Sequence, residues 1–344
     1  MTISKKSIFN IVFLIAVFAL TLYGVFHGQD LGQIVACIRQ CDIRYWIVSI
    51  CFVVFFVESE SVIIYYMMKR VGQDHIKFSH CILYSFVGFF FSCITPSATG
   101  GQPAQIYYMK KDKISIPIAT VILMIVTITY KLVLVLLGVG VLVVRPEAVM
   151  HYLAPVIGWC YLGILLNCFC VGFMLLLVFH PTMAKRILFF GLNILFKMKF
   201  IKRKEYYEEK LRKSMEQYSE VAVFFQENSR VVFNVIIITI VQRFLLFFVT
   251  WLVYRSFGFK EHGPGIIMVL QGMISVAVDM LPLPGGMGIS EQLFLQIFAP
   301  IFNSFCLPGM IVSRGLSYYT ELILSAILTI VAQLTIGRRK DCKK

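Results

Sequence analysis

The sequence predicts an all-α integral membrane protein, a polytopic helix bundle with about six full spans of roughly 20 apolar residues each, two re-entrant helical hairpins in inverted arrangement, and both termini cytoplasmic. Three observations predict it. Hydrophobic residues make up 59% of the 344 and charged residues 15%, against about 45–50% and 25% in soluble domains. Hydrophobic runs long enough to cross a bilayer recur along the chain. Two of the hydrophobic regions are interrupted near their middle, at Thr95 to Gln105 (TPSATGGQPAQ) and at Leu281 to Glu291 (LPLPGGMGISE). Pro lacks an N–H and Gly loosens the backbone, so neither stretch continues a helix. Unpaired backbone groups cannot face lipid, so both breaks are expected against protein or a wet cavity.

Full spans are expected at 8–26, 46–68, 114–144, 155–179, 229–257 and 308–336. The first follows Lys5 and Lys6 as a signal peptide would, but it is too long for one and lacks a small-residue cleavage site, so it reads as a retained span. Lys69, Arg70 and Lys77 precede the broken region 79–109, and Lys110, Lys111 and Lys113 follow it. Basic loops stay inside, so this region enters and leaves from the cytoplasm as a first re-entrant hairpin. The segment 180–228, with Lys185, Arg186, Lys197, Lys199, Lys202 and Arg203 among its cations, is a cytoplasmic loop. Within it, Leu211, Met215, Tyr218, Ala222 and Phe225 recur at helical spacing, beside the i,i+4 pairs Glu208/Arg212 and Glu209/Lys213. That is read as an amphipathic helix lying at the membrane surface. The second broken region, 264–303, starts near Lys260 and ends near Asn303 on the poorly charged side, as a hairpin entered from outside. The last span returns Arg338, Arg339, Lys340, Lys343 and Lys344 to the cytoplasm. Of the 32 Lys and Arg, only Arg39, Arg44, Arg145, Arg255 and Lys260 fall outside in this topology, and Lys131, Arg243 and Arg314 within it. The whole of 1–344 is a single transmembrane domain.

A net charge of +14 would suggest nucleic acid in a soluble chain; here its distribution reports topology, and no nucleic-acid partner is expected. The ten cysteines form no CxxC pair and read as small buried hydrophobes. Cys37 and Cys41, one turn apart, are the pair spaced for a bridge, with free thiols the stronger reading. No HExxH, DxD or nucleophile motif occurs, so no catalytic residue, metal or cofactor is expected.

Eight ionisable residues fall inside the apolar regions: Glu58, Glu60, Lys131, Arg243, Asp279, Glu291, Arg314 and Glu321. A charge at helix centre costs about 2.5–3.5 kcal/mol, so they must pair or line water. Arg314, Ser317 and Glu321 fall on one helix face, which should point inward. Gln242 with Arg243, and Lys131 with Thr127 and Tyr130, mark inward faces of their own spans. Glu58 and Glu60, two apart, cannot share a face and rank low. The plain alternative is a set of ion pairs that merely hold the bundle together. Beyond each break a short helix should start, near Gly101 and near Gly288, and its free N–H groups would suit an anion. Ser97, Thr99, Gln102 and Gln105 add polar contacts in the first break, Ser290 and Gln292 in the second. With Lys131, Arg243 and Arg314 nearby, phosphate is the natural ligand, and Asp279, Glu291 and Glu321 would face an amine, a proton or the arginines. A phosphate on acyl chains, reached from within a membrane, is a phospholipid. Matched breaks in two halves of a membrane chain are also where transporters bind their substrates.

The stretches TPSATGGQPAQIYYM and LPLPGGMGISE and the run SRGLSYY around Arg314 resemble the lysylphosphatidylglycerol synthase transmembrane family, the flippase-like domain of the multiple peptide resistance factor, over essentially the whole chain. The resemblance implies a bundle that moves phospholipid, phosphatidylglycerol or its lysyl ester, between leaflets of the bacterial cytoplasmic membrane, in the setting of antimicrobial-peptide resistance. By motif it assigns function to Pro96, Gly100 and Gly101, to Pro284, Gly285, Gly286, Gly288 and Glu291, and to Arg314. Relatives often carry an acid where Gln102 stands and an arginine where Gln105 stands, which bears on the headgroup preferred. The sequence leaves no room after the last span for the family's soluble synthase domain, so lysyl transfer is not expected of it. A separate synthase is then a candidate partner, and a homodimer a candidate assembly. Two other functions compete with the translocator: a membrane-embedded lipid transferase, and a noncatalytic subunit docking a synthase through 180–228.

Overall fold

The computed structural model describes residues 31–197 and 204–337. The expected first span at 8–26, part of the basic loop, and the basic cluster after residue 337 lie outside the described residues. Among the described residues there is no strand, and pairing between extended segments is limited to one isolated antiparallel bridge, Pro96 with Pro284.

The short helix α1 (Leu31–Arg39) leads into α2 (Ile43–Arg70), whose start is capped by the Asp42 carboxylate accepting the Arg44 N–H at 2.9 Å. Next come α3 (Phe78–Ile94) and α4 (Gly101–Lys111), which flank the first break, and α5 (Ile116–Val144). Pro117 sits in the first turn of α5, where a missing N–H does no harm. The chain continues through α6 (Glu147–Leu153), α7 (Ile157–Phe179), α8 (Pro181–Lys197), α9 (Lys204–Glu227) and α10 (Ser229–Ser256). Helices α11 (Pro264–Val278) and α12 (Ile289–Phe302) flank the second break, and α13 (Cys306–Arg314) and α14 (Thr320–Ala332) complete the described chain. Five stretches are long and apolar enough to cross a bilayer: Ile43–Arg70, Ile116–Val144, Glu147–Phe179, Ser229–Ser256 and Ile289–Ile336. The protein is therefore an all-α polytopic membrane protein. The last stretch joins the expected span at 308–336 to α12, with only a 3-10 turn at Asn303–Phe305 between α12 and α13.

The helices beyond both breaks begin where the Gly residues predict, but the two Gly pairs do different work. In the second break Gly285, Gly286 and Gly288 have φ of 56°, 67° and 85°, left-handed values that glycine adopts without penalty. In the first break the left-handed residues are Ser97 and Ala98, at φ 49° and 54°; Gly100 and Gly101 have no such φ. There the pair serves close approach. A Cβ on Gly101 would lie 2.2 Å from Ser92 Oγ and 2.7 Å from the Gly88 carbonyl oxygen, so α4 packs onto α3 with no room for a methyl group. Gly101→Ala is expected to lower stability by about 1–3 kcal/mol through overpacking, read as a lower melting temperature in detergent; an unchanged melting temperature would show that the arms part freely.

Two large apolar clusters fill the bundle. One holds Ile63, Met67, Cys81, Met109, Ile122, Ile128 and Val235, the other Val53, Val141, Val249, Ile267, Phe298 and Phe302. The first lies at the end carrying Lys69, Arg70, Lys110, Lys111 and the basic loop. Glu60 on α2, Lys131 on α5 and Arg243 on α10 each fall in sequence between a residue of one cluster and a residue of the other. These three ionisable side chains thus occupy the boundary layer between two greasy blocks, while Glu291 and Arg314 fall between residues of the second.

Three expectations need correcting. The apolar stripe of α9 is not at a lipid surface: Met215, Tyr218, Ala222 and Phe225 are buried in the first cluster, and the Tyr218 hydroxyl donates to the Leu177 carbonyl at 3.2 Å. Its outer face keeps the expected pairing, Glu209 with Lys213 at 2.9 Å, which holds the Glu209 carboxyl below its ordinary pKa. Second, the loop before α9 contains a further helix, α8, whose Ile187, Leu188, Phe190 and Phe196 are exposed. Third, the helix at Arg314 is not uniform. Gly315–Tyr319 is a π turn, with the Thr320 N–H donating to Gly315 five residues back, so the 3.6-residue spacing fails there. Cys37 and Cys41 are free thiols.

Candidate functional site

The two breaks meet. Besides the bridge between Pro96 and Pro284, the Ser97 hydroxyl donates to the Leu281 carbonyl at 3.1 Å, so each turn supplies polar partners for the other. Charged side chains from α2, α5, α10, α11, α12 and the last helix surround the junction in three groups.

The first group builds the second break. Glu291, in the first turn of α12 and 5% exposed, accepts the Gly288 N–H at 2.7 Å and Arg314 Nε at 2.8 Å. Arg314 Nη2 also donates to the Gly285 carbonyl at 2.9 Å, and its guanidinium lies 4.7 Å from the centroid of Tyr318. Arg314 therefore ties both ends of the Gly285–Gly288 turn to the last helix. The anion expected at the start of α12 is already present as the protein's own carboxylate. Ser290 is buried beside it, and Gln292 is exposed.

The second group joins α5 to the end of α11. Lys131, 8% exposed, donates to Asp279 at 2.5 Å, and its Nζ is 2.9 Å from Met280 Sδ. Tyr130 donates to the other Asp279 oxygen. One turn earlier on α5, the Thr127 hydroxyl accepts from Gln102 at the start of α4, so both breaks are fastened to one face of α5. The start of α4 has no acidic residue in its first turn. Thr99 is exposed beside it, and the Gly100 N–H donates to Thr95 Oγ1 at 2.8 Å.

The third group centres on Arg243. Its guanidinium stacks 3.5 Å from the centroid of Tyr130 and 5.0 Å from that of Phe56. Its Nε is buried with no hydrogen-bond partner among the described residues. The carboxylates whose charges act on it are Glu321 and Glu60. Glu60 accepts from Gln105 Nε2 at 2.7 Å, and the Cys93 thiol points at Glu321 at 3.5 Å. The Tyr318 hydroxyl donates to the Cys93 carbonyl at 2.9 Å. Gln242, next to Arg243, donates to the Phe56 carbonyl at 2.8 Å.

Sequence reasoning named most of these residues as candidates but ranked Glu60 low. Its partner, Gln105, is 45 residues away, and the i,i+2 relation to Glu58 says nothing about that. Arg314 and Glu321 do not act on a shared face: one meets α12, the other the end of α3, on either side of the π turn. Tyr318 was missed as an individual, although it lies inside the SRGLSYY run around Arg314. Among the described residues no three His, Cys, Asp or Glu side chains are placed to share a metal ion.

The arrangement can hold an anion on Arg243 and, through the Gln102 N–H, at the start of α4, whose Gly100 and Gly101 N–H groups already bond Thr95 and Ala98. It can equally hold a cation, because Glu60, Asp279, Glu291 and Glu321 outnumber Lys131, Arg243 and Arg314. No curated protein matches the chain. Residues 8–325 match the family described as the lysylphosphatidylglycerol synthase TM region. That match spans the five membrane-length stretches almost to their end and includes both breaks and Arg314, so the chain is a multi-pass membrane protein that belongs to the lysylphosphatidylglycerol synthase TM region family.

Proposed function

We propose that the protein is a phospholipid translocator of the bacterial cytoplasmic membrane, passing phosphatidylglycerol-type lipid, plain or aminoacylated, between leaflets. The family match supports the coarser statement on its own: the chain is a membrane component of the lipid-modification system. In the finer reading the α3–α4 and α11–α12 pairs are re-entrant hairpins entering from opposite faces, with the basic end of the bundle and both termini in the cytoplasm.

The observation that carries this reading is the contact of the two breaks, back to back at Pro96 and Pro284, inside a layer of charges walled by apolar clusters. Backbone tips and ionisable groups at that position are expensive unless something polar passes them. A lipid phosphate would meet Arg243 and the start of α4. A lysyl or other amine-bearing headgroup would meet the carboxylate in excess. The acyl chains need no protein path, since they can stay in the hydrocarbon while the headgroup moves.

The test is leaflet exchange of fluorescent phosphatidylglycerol, with and without a lysyl headgroup, in proteoliposomes. Protein-dependent exchange is expected for both, faster for the lysyl ester. Rates equal to those of protein-free vesicles for both lipids would overturn the translocator reading.

A further inference from the structure

The basic end of the bundle carries a polar cavity, away from the junction. It has a volume of about 390 Å³, lies between the last turn of α2 and the first turns of α10, and is lined by Tyr66, Arg70, Asn228, Arg230, Val231 and Asn234. Its walls hold two guanidinium groups and no carboxylate. Arg70 lies 5.3 Å from the Tyr66 ring centroid, which orients it, and Asn234 Nδ2 donates to the Tyr66 hydroxyl at 3.1 Å, leaving that O–H free to donate inward. The first turn of α10 adds backbone N–H groups and contains no acidic residue. Every charged or donating group on this wall favours an anion.

Beside it lies an apolar cleft of about 600 Å³, lined chiefly by Phe179, Phe225, Val232, Phe233 and Ile236, with Arg230 again in its wall. Arg230 stands at the junction of the two cavities. A free phosphate would fill only the first and a neutral hydrocarbon only the second. A ligand that uses both has an anionic phosphodiester joined to an acyl chain, and anionic headgroups concentrate at the basic face of a membrane protein.

We infer that this pair of cavities is a peripheral binding site for one anionic phospholipid, its phosphodiester held between Arg70 and Arg230 and one acyl chain lying in the cleft along α10. The site does not depend on whether the junction moves lipid, and its test is equilibrium binding rather than transport.

The experiment uses the full chain purified in neutral detergent, with retained lipid counted by native mass spectrometry after addition of phosphatidylglycerol, phosphatidylcholine or inorganic phosphate. The wild type should retain phosphatidylglycerol well above phosphatidylcholine. Losing two charge-assisted contacts in Arg70→Gln/Arg230→Gln should lower that retention about tenfold or more. Ile236→Trp, which fills the cleft, should lower it as well while leaving any phosphate binding unmoved. Arg70 and Arg230 are exposed, so melting temperatures should stay at the wild-type value and separate lost binding from lost folding. Undiminished phosphatidylglycerol retention in the double variant would overturn the site. Equal competition by inorganic phosphate, with Ile236→Trp silent, would overturn the lipid as its occupant and leave a phosphate site.

Discussion

Arg314→Ala is expected to lower folding stability by about 3–5 kcal/mol, the range for breaking a buried ion pair by removing one partner. Glu291 is 5% exposed and would be left with only the Gly288 N–H to answer it, while the Gly285 carbonyl would lose its donor. The turn those groups anchor contains three left-handed glycines, and its other ties are backbone hydrogen bonds within the turn and the contact with the first break. Removing both charges should be far milder than removing one: Arg314→Met with Glu291→Gln should recover much of the loss, since the glutamine can still accept the Gly288 N–H. The measurement is a thermal unfolding series in detergent on the wild type, both single variants and the double variant. Additive losses in the double variant would mean that the pair is not the clasp described above. With stability recovered in the double variant, a transport defect in Arg314→Ala reports a loosened turn, not a lost ligand for lipid.

Arg243 should behave in the opposite way. Its Nε makes no hydrogen bond among the described residues and its plane is held by Tyr130 and Phe56, so the group is oriented without being used up. Arg243→Gln should slow leaflet exchange about tenfold or more, as loss of one charged hydrogen bond of roughly 1.5–3 kcal/mol to the passing headgroup implies. Its melting temperature should fall less than that of Arg314→Ala, because Glu60 keeps Gln105 and Glu321 keeps Cys93. Arg243→Lys should recover part of the rate, retaining charge without the planar fork. Exchange at the wild-type rate in Arg243→Gln would remove Arg243 from the path.

The spans from α2 onward and the places where helices restart were legible because both follow from one-dimensional signals. A run of apolar residues sets a membrane-length helix, and Pro followed by Gly ends one. The pairings were not legible. Gln105 meets Glu60 and Lys131 meets Asp279 across separations that no local period encodes, and the exposed-looking pair Glu58 and Glu60 hid the residue that matters. The stripe of α9 was read correctly as amphipathic, but an apolar face does not state whether lipid or protein will cover it; here α5 and α7 do. The Gly pair at 100–101 was recognised for the wrong property. Sequence marks a glycine but not whether its φ or its missing Cβ is needed, and Ser97 and Ala98 took the left-handed positions that composition assigned to their neighbours.

A π turn is an α-helix that has accepted one additional residue. The Gly315–Tyr319 segment is therefore a place where the gene could lose a codon and still encode an unbroken helix. With the turn relaxing to α-helix, such a deletion would leave the segments on either side in register, so that Glu321 stayed at Cys93 while Arg314 kept Glu291. A codon lost from the uniform helix that follows has no such slack and would turn everything after it by about 100°, so the π turn marks where this helix tolerates a change of length.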